Sequence, residues 1–416
     1  MLTGQILLQL IVILFAVQLF GTLSRRIGQQ WVIGEILAGL ALGPSLLGLL
    51  LPDLQRQIFP PASIPILHML GDIGLILYMF SLGARTDVQE LRSQSRVAAI
   101  ISLSGIIVPL LLGFLLGFLL FPAQAGKHAT PFSFALLMGV AMAITAFPVL
   151  ARLLSEKRLL TTRIGMLSLV CASVGDVIAW CLLATASTVA HAQSGLSILL
   201  MLVFTALFIA SMFLIVRPLF IRANRHIRSM PLLAALTFGT VLLASFTTDK
   251  IGIHPIFGAF LTGLILPRNQ NFTQQIHSID QVNGLLFLPL FFVVSGLRTQ
   301  LGLIQSPALW LLCLVILLVA CLGKIGGGTL SARISGESWR DSLTLGFLLN
   351  TRGLVELIVL NIGLELGILS QTLFSILVIM ALVTTMLTSP CLYLLGVRPD
   401  TATPVKDKRS ETTLSG

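Results

Sequence analysis

Asp176 is the residue whose position in this sequence most needs a chemical explanation. It is the only charged residue between Ile164 and Ala190. A carboxylate moved out of water resists ionisation, so a proton or a metal cation has to neutralise it. Because both bind the same oxygens, Asp176 is the leading candidate for a group at which a proton and a cation compete. A hydrogen-bonded structural carboxylate is the alternative interpretation.

Oxygen atoms near Asp176 could complete a site for an alkali metal cation. Hard cations such as Na+ and K+ favour oxygen ligands, and Thr145 and Ser173 could each supply a hydroxyl or carbonyl oxygen. We therefore predict that Asp176, Thr145 and Ser173 bind the ion or proton, with water completing the shell. The metal is Na+ or K+, held by Asp176 and Thr145, and no cofactor is predicted.

The composition places these residues in a membrane protein. Hydrophobic residues make up 56% of the 416, and only 10% are charged, against about 25% in soluble domains. About thirteen apolar stretches are long enough to cross a bilayer. No nucleophile–base pair or phosphate loop is recognisable, which argues against an enzyme, and no basic soluble domain is present to bind nucleic acid. The five cysteines show no metal-ligand spacing.

Three further ionisable residues lie inside apolar stretches. Lysine or arginine at the centre of a spanning helix costs about 2.5 to 3.5 kcal/mol, so Lys324 and Arg352 need compensating partners. For Lys324 we favour a counter-charge or proton carrier near Asp176 over a lysine that extends to the cytoplasmic helix end. Arg352 and Glu356 stand four residues apart, a spacing that favours a structural ion pair.

Two predicted spans are interrupted. In ITAFPVLAR, Pro148 lacks an amide hydrogen and pushes Phe147 away from helical geometry, so the helix should open near Thr145 and Ala146. In LGFLLNTRGLVELIVL, the interruption consists of the polar and flexible residues Asn350, Thr351, Arg352 and Gly353. Both lie in the second member of a group of three spans, and the two groups must have opposite orientations. This pattern is typical of inverted-repeat transporters, whose sites lie between broken helices.

The basic residues predict the orientation. Twenty of the 26 lie in loops on one side, and four lie on the other: Arg56, Lys127, Lys250 and Arg298. The positive-inside rule then places the C-terminus in the cytoplasm and the N-terminus outside. The excess positive charge also favours contact with anionic lipid.

Four ionisable residues are expected at or near helix ends without a role in binding. Asp72 and Asp249 should lie near outer helix ends, where their carboxylates can remain in contact with water. His68 and His254 are expected to be packed or interfacial rather than to sense pH, although histidine titrates in the relevant range.

Six stretches together resemble the second family of monovalent cation:proton antiporters, which includes sodium/proton exchangers and Kef-type potassium efflux systems. They are VIGEILAGLALGPSLLG (32–48), AMAITAFPVLARLLSEKRLL (141–160), SVGDVIAW (173–180), IHPIFGAFLTGLILPR (253–268), LPLFFVVSGLRTQL (288–301) and LLNTRGLVELIVLNIGLELGILS (348–370). The resemblance implies an all-α fold of 13 transmembrane helices with two crossed broken helices, an elevator mechanism and a homodimer. It also implies that Asp176 is the ion-binding aspartate, Thr145 the crossing threonine and Lys324 the lysine of the eleventh helix.

The resemblance also divides the chain. An exchanger domain at 1–397 would comprise a dimerisation part (about 1–83 and 231–298), a core part (about 97–190 and 307–397) and a linker helix (about 196–218). A short polar tail at 398–416 would follow, without the regulatory domain of Kef-type proteins. A multi-pass protein of this kind is expected in the bacterial inner membrane.

Gly175 departs from the family pattern. Electrogenic members have a second aspartate immediately before the binding one, and many electroneutral members have asparagine there. A single carboxylate predicts one-for-one, electroneutral exchange of Na+ or K+ for a proton. The alternative is a cation channel or uniporter that uses Asp176 as a selectivity element.

Overall fold

The computed structural model describes residues 2–85, 96–159, 162–191, 195–226, 229–267 and 270–397. Nineteen α-helices occupy these ranges: α1 Leu2–Arg26, α2 Trp31–Leu42, α3 Leu47–Leu50, α4 Pro52–Ile58, α5 Ile64–Arg85, α6 Arg96–Gln124, α7 Pro131–Ala143, α8 Phe147–Glu156, α9 Arg163–His191, α10 Gly195–Ser211, α11 Arg217–His226, α12 Met230–Ile251, α13 Ile256–Ile265, α14 Gln270–Val282, α15 Leu288–Arg298, α16 Pro307–Ile334, α17 Trp339–Leu349, α18 Leu354–Glu365 and α19 Gln371–Leu394. Two π-helical turns, Met212–Val216 and Asn283–Phe287, and a 3₁₀ turn, Leu301–Leu303, complete the regular structure.

The helical architecture follows from the apolar composition. Hydrocarbon offers no partner for backbone N–H and C=O groups, so a spanning segment has to form its hydrogen bonds internally. Within the described ranges, nine helices are long and apolar enough to cross a membrane. Two broken pairs, α7 with α8 and α17 with α18, and the helices α9 and α13 lie outside these nine. The prediction of an all-helical, multi-span protein is confirmed.

The helices of each broken pair begin and end at distinct local signals. Thr130 caps α7, because its hydroxyl accepts the amide of Ser133 at 3.1 Å while the Ser133 hydroxyl accepts the amide of Thr130 at 2.9 Å. At the other end, Ile144 takes an extended conformation that ends the helix. Phe147 and Pro148 lie in the first turn of α8 rather than in the gap, where proline's missing amide hydrogen is tolerated.

The helices pack in two groups. Helix α15 lies against α2 and α5, and α13 lies against α5 and α12. In the second group, α6 packs on α7, α9 and α16, while α16 also contacts α17 and α19. Both broken pairs belong to this second group, and its helices position the residues that the sequence analysis selected.

Candidate functional site

The two helix breaks lie against each other and are joined by hydrogen bonds. We call this region the crossing; it comprises residues 144–146 and 350–353 with the side chains of Lys324 and Glu356. The amide of Ala146 donates to the carbonyl of Thr351 at 3.0 Å, and the Thr145 hydroxyl donates to the carbonyl of Leu349 at 2.8 Å. Both interruptions are buried, so backbone groups freed by one break are satisfied by the other.

Two buried cations cap the carboxyl end of α7. The Lys324 ammonium donates to the carbonyl of Ala143 and, at 2.9 Å, to that of Gly105. Arg352 donates from Nη1 to the carbonyl of Ala141 at 2.8 Å and from Nη2 to that of Met142 at 3.0 Å. The last carbonyls of a helix lack intrahelical partners and carry partial negative charge. These carbonyls therefore compensate two side chains that would otherwise be costly to bury.

Arg352 and Glu356 form the ion pair that their spacing suggested. Arg352 Nη1 lies 3.2 Å from Glu356 Oε1, and both side chains are fully buried. Thr385 of α19 fixes the backbone at the same point, because its hydroxyl accepts the amide of Arg352 and donates to its carbonyl, each at 3.0 Å. The arrangement holds the unwound segment in one orientation.

Lys324 does not extend to the cytoplasmic helix end, since it is only 1% exposed. Close packing of α16 against α6 keeps it inside, and Gly327 allows this approach. A Cβ atom at Gly327 would lie 3.0 Å from the carbonyl oxygen of Ser104. The residue types around Lys324 did not identify α6 as the partner helix.

Gly353 is needed for a different reason from the one its residue type suggests. Its φ of 165° is extended backbone rather than a left-handed conformation. A Cβ atom at this position would instead come within 2.6 Å of Val149 Cγ2. The close approach of the second break to α8 therefore selects glycine.

Asn350 and Thr351 stand in the second break. The Thr351 hydroxyl donates to the carbonyl of Leu348 at 2.8 Å, which satisfies an end group of α17. The Asn350 amide nitrogen lies 3.7 Å from Cys321 Sγ. Both side chains are buried, so the polar residues of the break face the protein interior.

Asp176 and Ser173 lie on α9, which packs against α6, α7 and α17. Their side chains fall outside the described part of the structure. Position 175 is described, and a Cβ atom there would meet Ile106 Cδ1 at 3.8 Å, an ordinary contact. Gly105, whose carbonyl accepts the Lys324 ammonium, is the neighbour of Ile106. The turn of α6 at residues 105–106 thus contacts both Lys324 and position 175.

Sequence reasoning missed a second cluster of polar side chains, which lies where the start of α5 meets the ends of α15 and α18. His68 Nδ1 lies 3.0 Å from Asp72 Oδ2, and His68 Nε2 lies 3.0 Å from Glu365 Oε1. Arg298 Nη1 lies 3.0 Å from the same Glu365 oxygen and donates to Asn361 Oδ1 at 3.2 Å. We call these five residues the outer cluster. Asp72 was expected only to be solvated, and its four-residue spacing from His68 was the available signal for this contact.

Comparison with known proteins agrees with this architecture. Residues 11–394 match the family described as sodium/hydrogen exchanger, transmembrane. A Na(+)/H(+) antiporter of Synechocystis sp. is 42% identical over 391 residues, which cover 92% of this chain and 95% of that protein. Cation/H(+) antiporter 17 of Arabidopsis thaliana is 40% identical over 98% of this chain and 50% of its own length. K(+)/H(+) antiporter 1 of Saccharomyces cerevisiae is 33% identical over 91% of this chain and 46% of its own length. The chain spans about half the length of the plant and yeast proteins.

A solved structure has a similar fold. The sodium proton antiporter of Methanocaldococcus jannaschii superposes with a TM-score of 0.71, over 95% of this chain and 100% of that one. The sequence identity is 17%, so the similarity concerns the fold.

Proposed function

The chain belongs to the transmembrane sodium/hydrogen exchanger family, a family of transporters and not of enzymes, and we propose that it exchanges one Na+ or K+ for one proton at Asp176. Antiport of a monovalent cation and protons follows from the family membership. The proposal adds the binding residue, the one-for-one stoichiometry and the path of movement.

The crossing is the observation that carries this proposal. Lys324 and Arg352 supply two positive charges and Glu356 one negative charge within one buried region. Ionised Asp176 brings the sum to zero. One bound proton or one bound alkali cation then raises it to the same value of +1. The two loaded states are electrostatically alike, whereas the empty state differs from both, so loaded carriers exchange without net charge movement.

Thr145 is suited to contribute a ligand. Its hydroxyl hydrogen is directed to the carbonyl of Leu349, which leaves the oxygen lone pairs available to a cation. Ser173, three residues before Asp176 on α9, is proposed as a further oxygen ligand. Oxygen ligands of this kind suit Na+ and K+ equally in chemical type, so the proposal includes both ions.

We further propose that the core part, about 97–190 and 307–397, moves as a unit against the dimerisation part, about 1–83 and 231–298. The segregated packing of the two helix groups supports this division. The π-helical turn Met212–Val216 lies in the proposed linker helix at 196–218, and such turns are frequent at functional positions. A homodimer formed through the first part, in contact with membrane lipid, completes the proposal. The membrane is the inner membrane of a bacterium, with the C-terminus in the cytoplasm.

The test is cation-driven proton movement in proteoliposomes that contain a pH-sensitive dye. Na+, K+ and Li+ are added in turn to the native protein, Asp176→Asn and Asp249→Asn. Asp249 is an exposed carboxylate near the end of α12, so its substitution is the matched control. We expect Asp176→Asn to abolish the dye response and Asp249→Asn to retain it. Exchange that survives in Asp176→Asn would contradict the mechanism.

An imposed membrane potential tests the stoichiometry. A cycle that moves one net charge couples to voltage at about 2.3 kcal/mol per 100 mV, whereas one-for-one exchange does not respond. A channel or uniporter would carry cation current without changing the lumenal pH. A voltage-dependent exchange rate in the native protein would contradict electroneutral exchange.

A further inference from the structure

The outer cluster joins the two groups of helices at one end of the molecule. His68 and Asp72 lie on α5 and Arg298 ends α15, all in the proposed dimerisation part. Glu365 and Asn361 lie on α18 of the proposed core part. The Glu365 carboxylate forms ion pairs with both the imidazole of His68 and the guanidinium of Arg298. Any displacement of one part along the other therefore has to separate these charges.

Other contacts cross at the same end. The main-chain amide of Gln300 donates to the hydroxyl of Ser375 on α19 at 3.0 Å, and the side-chain amide of Asn361 donates to the hydroxyl of Ser295 at 2.9 Å. The Gln371 side chain donates to the carbonyl of Arg298. Together with the outer cluster, these bonds fasten the present relative position of the two helix groups.

His68 bridges two carboxylates, and this geometry requires a particular protonation state. Both ring nitrogens lie 3.0 Å from carboxylate oxygens. Ionised carboxylates only accept hydrogen bonds, and a neutral imidazole has a single N–H. The arrangement therefore needs the imidazolium, with a proton on each nitrogen. Loss of one proton places a nitrogen lone pair against a carboxylate oxygen and breaks one of the two contacts.

Among the described residues, the charged and titratable groups near His68 are Asp72 on its own helix, Arg298 on α15, Glu365 on α18 and His254, with Asp249 near it, before α13. His68, Arg298, Asp72 and Glu365 sum to zero when His68 is protonated and to −1 when it is neutral. A cleft of about 560 Å³ beside Arg298 and Glu365 gives water access to the cluster.

We propose that His68 is a pH-sensitive latch between the two moving parts of the exchanger. Protonated His68 ties α5 to Glu365 and holds the core part in place; deprotonation releases it. The inference rests on the proposed elevator movement. Because the bridged geometry favours the imidazolium, release needs a pH above the range of about 5 to 8 in which an unperturbed histidine titrates. Exchange should therefore accelerate as the pH on the side of the outer cluster rises beyond this range. The pH on the opposite side should not act through His68.

Exchange measured with the pH varied on one side at a time tests the latch. Saturating cation is kept on the varied side to limit competition at Asp176. We expect His68→Gln to lose most of the acid-side inhibition, with at least a threefold higher rate than the native protein at pH 6. His68→Arg keeps two donors at every pH and should stay slow throughout. His128→Gln, an exposed histidine after α6, is the matched control and should follow the native curve.

A cross-linking measurement reports the latch without transport. The five native cysteines are first replaced, and Gln300→Cys and Ser375→Cys are then introduced. The measured quantity is the rate of disulfide formation between the two new cysteines in the presence of a thiol oxidant. A second cysteine pair, placed inside the core part, provides the correction for thiol ionisation. The corrected rate should fall severalfold from about pH 6 to about pH 10, and this fall should be absent in the His68→Gln background. A His68→Gln protein with the native pH curve, or corrected cross-linking that ignores His68, would overturn the proposal. If the native protein exchanges no cation for protons, the proposed function is wrong. The latch can still be tested in that case, because cross-linking does not depend on transport.

Discussion

The crossing and the outer cluster both contain opposite charges, but the partners of those charges differ. At the crossing, Lys324 and Arg352 donate to main-chain carbonyls of residues 141–143 at the end of α7, Arg352 also pairs with Glu356, and both cations are at most 1% exposed. In the outer cluster, His68 of α5 and Arg298 of α15 bind the Glu365 carboxylate of α18, and Arg298 and Glu365 are 24% and 38% exposed. The contacts of the crossing all lie within the proposed core part, whereas the contacts of Glu365 join the core part to the proposed dimerisation part, so only the second set has to separate when the two parts move. The first arrangement suits a fixed site and the second suits a contact that opens.

Removal of a charge at the crossing should have the largest effect. Arg352→Gln leaves Glu356 buried without its partner and uncaps two carbonyls, so we expect a stability loss of about 3 to 5 kcal/mol. Thermal denaturation in detergent measures it. Arg352→Lys keeps the charge but cannot reach two carbonyls in the same fork geometry. Its melting temperature should therefore lie between those of the native protein and Arg352→Gln. A native-like melting temperature for Arg352→Gln would remove the distinction between the two regions.

A second carboxylate near Lys324 should change the charge moved in each cycle. Position 175 has ordinary space for a Cβ atom, so Gly175→Asp should fold. If the new aspartate is neutralised by a second proton, exchange becomes voltage-dependent by about 2.3 kcal/mol per 100 mV. Measurement under an imposed potential checks this, with Gly175→Asn as the uncharged control. Identical voltage responses in the two variants would count against a role for charge at this position.

An added methyl group at the crossing should have a moderate effect. Gly353→Ala places a Cβ atom 2.6 Å from Val149 Cγ2, and overpacking of a closely packed interior costs about 1 to 3 kcal/mol. Gly326→Ala is the matched control, because its Cβ atom meets nothing within 4 Å. Thermal denaturation of both variants tests the prediction, and equal melting temperatures would show that the second break can relax.

Removal of a charge from the outer cluster should have the smallest effect on stability. Glu365→Gln breaks partly exposed pairs with His68 and Arg298, and pairs of this kind contribute about 0 to 1 kcal/mol. The melting temperature should therefore change little, while the rate of exchange at acid pH should rise. A destabilisation as large as that of Arg352→Gln would mean that the outer cluster is a structural site like the crossing.

The helix breaks could be predicted from the sequence because their causes are local. Pro148 has no amide hydrogen, and the polar run at Asn350–Gly353 interrupts an apolar stretch. The structure moved one boundary, since Phe147 and Pro148 begin α8 and the gap lies at residues 144–146. The pairing of Arg352 with Glu356 was likewise predicted from helical spacing.

The partners of the buried cations and the members of the outer cluster could not be predicted in this way. Lys324 and Arg352 bind carbonyls of residues 105 and 141–143, and every residue has a carbonyl, so no residue type marks these positions. Residues 68, 298 and 365 are far apart in the chain. His68 and Arg298 appeared separately, one as a residue near a helix end and the other as a basic loop residue, and Glu365 was not singled out.

The sequence by itself determined that this chain is an all-helical membrane protein with two interrupted spans and a few ionisable residues within apolar stretches. Composition, hydrophobic length and proline position set these properties through the energetics of a backbone in hydrocarbon. The tertiary structure decided which carbonyls compensate Lys324 and Arg352 and which side chains meet His68. These contacts depend on how helices distant in sequence are brought within 3 Å, and that distance is set by packing of the whole molecule.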